Sequence, residues 1–256
     1  MHHCRITTEE KDCYIIPDVH QNLSWAEGIL RQAGDHTVVF LGDYFDARSS
    51  VTSSHKDVCH FLNSVYHDRP NTHFLLGNHD VQYYEAIRRK QLGSVPEYVS
   101  KKHLDYFAGN FEPLAVNVIE ECLDPSFWTG VHLFLEVDQY LVSHAGVAHA
   151  YWQGETREDC LKSLKVRCNL ALEAIGKKVD DLLMTGKSRG GIVDQAGLTW
   201  MDWERDRAHY ADIPQIVGHR ADLRKGARQR GSSWCLDGCQ TCYAKLYSGR
   251  FLDIVE

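Results

Sequence analysis

The chain has 256 residues, 43% of them hydrophobic and 25% charged, a globular composition that excludes disorder and fibrous repeats. A net charge of −7 excludes extensive nucleic-acid backbone binding, and apolar runs such as Thr37-Val38-Val39-Phe40-Leu41 fall far short of the ~20 residues that cross a bilayer. Nine scattered cysteines and an N-terminus without a basic-then-apolar layout point to a soluble protein in a reducing, cytoplasmic setting.

In chain order, Cys13-Tyr14-Ile15-Ile16 reads as a strand, followed by a helix over 24–32 with Ser24 as N-cap and Gly34 past its end. A strand over 37–41, a helix over 54–67 closed by Pro70, and a strand over 73–76 come next, then a helix over 81–91. A further helix is predicted over 97–108. The segments 131–137 and 139–143 alternate about Asp138 as a hairpin, and 157–175 reads as a long amphipathic helix. Strands over 214–217, 233–236, 243–247 and 251–255 finish the chain. No Pro/Gly/Ser-rich linker and no internal repeat divides it, so the expectation is one α/β domain over 1–256 with a partly antiparallel second half and a core from about residue 13.

Three early strands each run directly into metal-competent residues: Pro17-Asp18-Val19-His20, Gly42-Asp43-Tyr44-Phe45-Asp46 and Gly77-Asn78-His79-Asp80. Two later strands repeat the arrangement, with Ser143-His144-Ala145-Gly146 and Gly218-His219. In open α/β sheets sites form beyond the carboxyl ends of strands, so loops distant in sequence are expected to converge. The i, i+2 spacing of Asp18 and His20 places both on one face of an extended strand end. Carboxylates, imidazoles and an amide oxygen together suit Mn²⁺, Fe, Zn²⁺ or Mg²⁺, and a single carboxylate, with Asp43 the natural choice, can bridge two ions. Any one block has a bland reading as a turn or a packed histidine. Five blocks in one order, each just after an apolar strand, require that reading to fail five times.

The five blocks resemble those of the calcineurin-like metallophosphoesterase superfamily, specifically its phosphoprotein-phosphatase-type branch. That branch carries Gly-Asp-x-His-Gly, Gly-Asp-Tyr-x-Asp-Arg, Gly-Asn-His-Glu, His-Ala/Gly-Gly and Gly-His in this order. The resemblance runs from about residue 13 to the end and takes in Gly190-Gly191, Gly197-Leu198-Thr199-Trp200 and Ser233-Trp234-Cys235-Leu236-Asp237-Gly238. It implies two mixed β-sheets packed face to face and flanked by helices. It also implies Asp18, His20 and Asp43 on a first metal, and Asp43, Asn78, His144 and His219 on a second, with Mn²⁺ the leading candidate. Pro17 and Gln21 stand where the branch has glycines, Asp80 replaces its glutamate, and Ala47 comes between Asp46 and Arg48.

From this resemblance the expected chemistry is hydrolysis of phosphomonoesters by direct attack of a metal-bridging hydroxide. His79, oriented by Asp46, would be the general acid, and Arg189, Arg205 and Arg48 are candidates for the phosphate. A Ser/Thr protein phosphatase leads. Dinucleoside polyphosphate hydrolase, nucleic-acid-end phosphatase and cyclic phosphodiesterase are alternatives within the class, and a non-catalytic binding scaffold is the alternative outside it. Expected partners are a phosphoprotein, a nucleotide or a nucleic-acid end, and no membrane. Among the remaining features, Cys235, Cys239 and Cys242 read as free thiols rather than a zinc site. His55, His60 and His67 read as solvated; Trp25, Tyr83 and Tyr84 read as packing residues. Arg220, Arg224, Lys225, Arg228 and Arg230 form a basic loop that either grips a polyanion or is solvated.

Overall fold

A computed structural model describes residues 5–9, 11–48, 53–222, 226–247 and 251–255. Eleven strands and six α-helices follow one another among these residues. They are β1 (Arg5–Ile6), β2 (Cys13–Ile16), α1 (Leu23–Ala33), β3 (Thr37–Phe40), α2 (His55–Asp68), β4 (Thr72–Phe74) and α3 (Asn78–Gln91). Next come α4 (Ala115–Cys122), α5 (Pro125–Gly130), β5 (Phe134–Val137), β6 (Tyr140–Ser143) and α6 (Arg157–Ala174). The chain closes with β7 (Gln215–Val217), β8 (Arg228–Arg230), β9 (Ser233–Cys235), β10 (Tyr243–Tyr247) and β11 (Phe251–Val255). No helix among the described residues is long and apolar enough to cross a membrane.

The strands form two mixed sheets, ordered β11-β10-β2-β3-β4 and β1-β5-β6-β7-β9-β8. Both faces of the central strands are buried, which explains why their sequences are continuous apolar runs rather than alternating ones. Ile15, Val39 and Leu41 cluster with Leu135, Val142, Ile216 and Leu246 in the layer between the sheets. Their neighbours Tyr14, Ile16, Val38 and Phe40 point the other way and join the helices in the larger cluster. There Phe127 of α5 is fully buried against Tyr44, Tyr66, Phe74 and Trp128. Phe127→Ala is expected to cost about 3–5 kcal/mol, read as a lower urea midpoint at unchanged m-value.

Most predicted elements stand, with instructive shifts. Asn22, not Ser24, caps α1, its side chain accepting from the Trp25 N–H. Helix α3 begins at Asn78 instead of 81, so Asn78 and His79 sit in its first turn. The helix predicted over 97–108 is absent; only Lys101–His103 forms a short 3-10 turn. Buried side chains of α3 supply the reason: Glu85 accepts from the N–H groups of Asp105 and Tyr106, and Gln82 from that of Ala108. These tertiary bonds satisfy the backbone that a helix would have satisfied internally. Helix α6 is not cleanly amphipathic, since Val166 and Leu170 are exposed on its outer face.

Candidate metal centre

The carboxyl ends of five strands from both sheets meet at one edge of the sandwich. Parallel neighbours β2 and β3 deliver Asp18, His20 and Asp43, and β4, parallel to β3, delivers Asn78. In the other sheet, parallel neighbours β6 and β7 deliver His144 and His219. All six side chains are buried. Two sets of donor atoms lie close enough to hold an ion, Asp18 with His20 and Asp43, and Asp43 with His144 and His219. Asp43 belongs to both.

Each imidazole is presented by a bond on its far side. His20 Nδ1 donates to the Asp46 carbonyl at 2.7 Å, and His144 Nδ1 to the Leu41 carbonyl at 2.8 Å, which leaves each Nε2 with its lone pair. His20 Nε2 and His144 Nε2 both lie 3.5 Å from Asp43 Oδ2. Asn78 Oδ1 is 3.1 Å from His144 Nε2 and 2.9 Å from His219 Nδ1. His20 Nε2 and Asp43 Oδ2 are buried without a hydrogen-bond partner. Orphaned polar atoms are costly inside a protein, and a dication between them removes the cost. The donor set therefore fits divalent ions.

Electrostatics favours the ionised forms of Asp18 and Asp43 and the neutral form of His219. Burial raises the pKa of Asp18, but the neighbouring His20 and His144 imidazoles and the Arg48 guanidinium outweigh it, leaving the carboxyl well below its usual range. Burial likewise raises Asp43, and His144, His79 and His20 bring it down. Burial, reinforced by His144 and Arg189, keeps His219 well below the usual imidazole value and so neutral.

The loops are shaped by unusual backbone. His20, Gln21, Asp43, Asp46 and His219 all have positive φ, between 43° and 67°. Side chains at such angles are uncommon and mark functional turns. Gln21, where the resemblance leads one to expect glycine, ties two loops together: its side chain accepts from the Ala47 N–H at 2.7 Å and donates to the Ser53 carbonyl at 2.8 Å. Asp80 is a second clamp, accepting from the N–H groups of Asp43, Tyr44 and Gly77 at 2.7, 2.8 and 2.9 Å. Gly42 (φ 102°) and Gly77 pack backbone to backbone, and a Cβ on Gly42 would collide with the Gly77 nitrogen.

His79 stands beside this cluster, its ring edge-on to His20 at 5.2 Å. Its Nδ1 donates to Asp46 Oδ2 at 2.8 Å. Asp46 also receives Gln82 Nε2 at 2.5 Å and the Tyr83 hydroxyl at 2.5 Å, so Tyr83 does more than pack. Burial lowers the pKa of His79, but Asp43 and then Asp46 overcome it and hold the imidazole above its usual value.

The three candidate arginines part company. Arg189 reaches the cluster, its NH1 2.9 Å from His219 Nε2 and its guanidinium over Trp200 at 5.5 Å. Arg205 is exposed and donates to the Ser188 carbonyl at 3.3 Å, bracing the loop that carries Arg189. Arg48 is bound by carboxylates, donating to Asp237 at 2.8 and 3.0 Å and to Asp18 Oδ2 at 3.2 Å. Burial and the nearby Asp18 push the Asp237 carboxyl up to about 6 against the pull of Arg48. Sequence reasoning missed Asp237 as an anchor. It also missed buried Asp202, whose Oδ2 lies 3.1 Å from Arg220 Nε and 3.9 Å from Arg189 NH1. Their only signal was an aspartate just after a Trp or a strand.

Other expectations resolve locally. His55 is not solvated; it stacks on Phe45 and meets Tyr83 edge-on, whereas His60 and His67 are exposed. In the basic loop, Arg228 is buried and Arg230 is tied to the Trp203 carbonyl and Glu204, while Arg224 and Lys225 lie outside the described residues. Cys235 and Cys239 are free thiols, Cys242 Sγ donates to the Leu236 carbonyl at 3.2 Å, and no candidate ion site among the described residues includes a cysteine.

Structures sharing the fold include a cold-active protein-tyrosine phosphatase of a psychrophilic Shewanella species, 14% identical, covering 100% of this chain and 83% of that one, with a TM-score of 0.56. A putative diadenosine tetraphosphatase is also 14% identical, covering 99% of this chain and 98% of its own, with a TM-score of 0.48. A protein serine/threonine phosphatase from Saccharomyces cerevisiae is 14% identical, covering 98% and 82%, also with a TM-score of 0.48. At 14% identity the likeness to the first of these, at a TM-score of 0.56, is one of fold. No curated protein sequence matches the chain. The profile of the calcineurin-like phosphoesterases matches residues 13–223, and the chain belongs to that family of metal-dependent phosphoesterases.

Proposed function

We propose that the chain is a phosphomonoesterase of the Ser/Thr protein-phosphatase kind. Asp18, His20 and Asp43 would hold one divalent ion, and Asp43, Asn78, His144 and His219 a second. When bound, such ions lower the pKa of a water and withdraw charge from phosphoryl oxygens. The protein's own residues do the rest. Arg189, the arginine that reaches the cluster, would meet the phosphate with its planar fork. His79, whose pKa Asp43 and Asp46 raise, would hand a proton to the departing oxygen.

The observation that carries the reading is the His79–Asp46 pair, fixed from behind by Gln82 and Tyr83. A serine or threonine alkoxide is a poor leaving group and needs a proton; an aryl oxide does not. A rigid acid beside the cluster is therefore most useful on alkyl phosphates. Manganese as the native ion and a cytoplasmic setting belong to the same proposal, supported by the mixed carboxylate, imidazole and amide donors and by the free thiols.

The test compares kcat/KM of the metal-loaded protein on a phosphoserine peptide, diadenosine tetraphosphate, a cyclic nucleotide and a 5′-phosphorylated RNA. The phosphoserine peptide is expected to lead; preference for any other substrate overturns the assignment. Removing ions with a chelator is expected to abolish hydrolysis, and Mn²⁺ to restore it as two ions bind per chain by elemental analysis. Activity that survives exhaustive chelation would sink the metal assignment.

A further inference from the structure

A cavity of about 510 Å³ lies between α3, α5, the segment 131–135 and α6, and none of the proposed ligands lines it. Its volume is that of a small-molecule pocket. One wall is the Tyr84–Trp128 pair, stacked at 4.7 Å with the rings 2° from parallel, and Leu172 of α6 faces into it. The rim carries Arg88, Lys165 and Lys177 against one acid, Glu173.

The charge is unbalanced in a specific way. Three other bases on the same helices are paired, Arg89 with Glu85 and Asp105, Lys90 with Glu120, and Arg167 with Asp181. Among the described residues, no ion pair to a carboxylate is made by Arg88, Lys165 or Lys177. On a chain of net charge −7, three unneutralised cations around an apolar cavity form a local positive field. We propose that this cavity binds a small amphiphilic anion, with its apolar body against Trp128 and Leu172 and its carboxylate, sulfonate or phosphate head at the three cations. The site is separate from the metal centre and can be occupied at the same time. Tyr84 lies six residues along α3 from Asn78, about 9 Å of helix. The inference does not rest on the proposed function.

The probe is 8-anilinonaphthalene-1-sulfonate, titrated by fluorescence against the full chain, with neutral N-phenyl-1-naphthylamine as the uncharged control. One saturable sulfonate site per chain is expected, bound more tightly than the control. The Lys165→Glu/Lys177→Glu variant is expected to weaken the sulfonate about tenfold or more and leave the neutral probe unmoved. Leu172→Trp, which fills the cavity, is expected to weaken both probes, with folding checked by circular dichroism. Hydrolysis of nitrophenyl phosphate should be unchanged in both variants. Equal affinity for the two probes, or a charge-reversed variant that binds the sulfonate as before, overturns the proposal. So does a chain that dimerises and takes up no probe, since a second copy then covers the cavity.

Discussion

Asp43→Asn is expected to lower kcat about a thousandfold and to reduce bound metal from two ions per chain to one or none. Asp43 is common to both donor sets, its Oδ2 3.5 Å from His20 Nε2 on one side and from His144 Nε2 on the other. Its Oδ1 accepts from the His79 N–H at 3.0 Å, a bond that an asparagine oxygen keeps. Asparagine also tolerates the left-handed backbone at this position, where φ is 52°. The substitution thus removes charge while preserving shape. Lewis-acid assistance is worth several kcal/mol, and about 1.36 kcal/mol is a factor of ten, which gives the expected loss. Turnover within tenfold of the parent, with two ions still bound, would dismiss Asp43 as the shared ligand.

His79→Gln is expected to behave differently, losing about 10²–10⁴-fold in kcat on a phosphoserine peptide while hydrolysing nitrophenyl phosphate almost normally. Only the alkyl leaving group depends on the donated proton. The pH profile carries the same information. An acid must be protonated to act, so activity on the peptide falls as pH rises through the pKa of His79. Asp43 and Asp46 hold that pKa above 6.5 despite burial, so the alkaline limb of the parent lies above 6.5. That limb should vanish in His79→Gln and move to lower pH in Asp46→Asn. A uniform loss on both substrates, or an unchanged alkaline limb, would remove His79 from the acid role.

The gathering of the site was legible because each donor block follows an apolar run directly, and strands of neighbouring register end at the same edge. Asp18, Asp43 and Asn78 follow the carboxyl ends of adjacent parallel strands, so their positions follow from topology once the strands are recognised. What escaped is held by long-range side-chain bonds. Arg48 and Asp237 are 189 positions apart, and nothing local in either predicts that one captures the other. The helix wrongly expected over 97–108 fails for the same reason, its backbone being claimed by Glu85 and Gln82 of α3. The early start of α3 was hidden by its own chemistry, because Asn78 and His79 look like loop residues yet occupy a first turn, where Asp80 closes the cap onto the Gly77 N–H.

The five left-handed residues at the strand ends have a consequence for laboratory evolution. Each non-glycine residue held there costs on the order of 1–3 kcal/mol, so the loops carrying His20, Asp43 and His219 are maintained against their own preference by the sheets beneath them. Glycine at Gln21 or Asp46 would relax that tension, yet it would also discard the tie to Ala47 or the anchor of His79. Selection for heat resistance alone would therefore favour replacements that disarm the protein, and variants bred for robustness need a simultaneous screen for turnover.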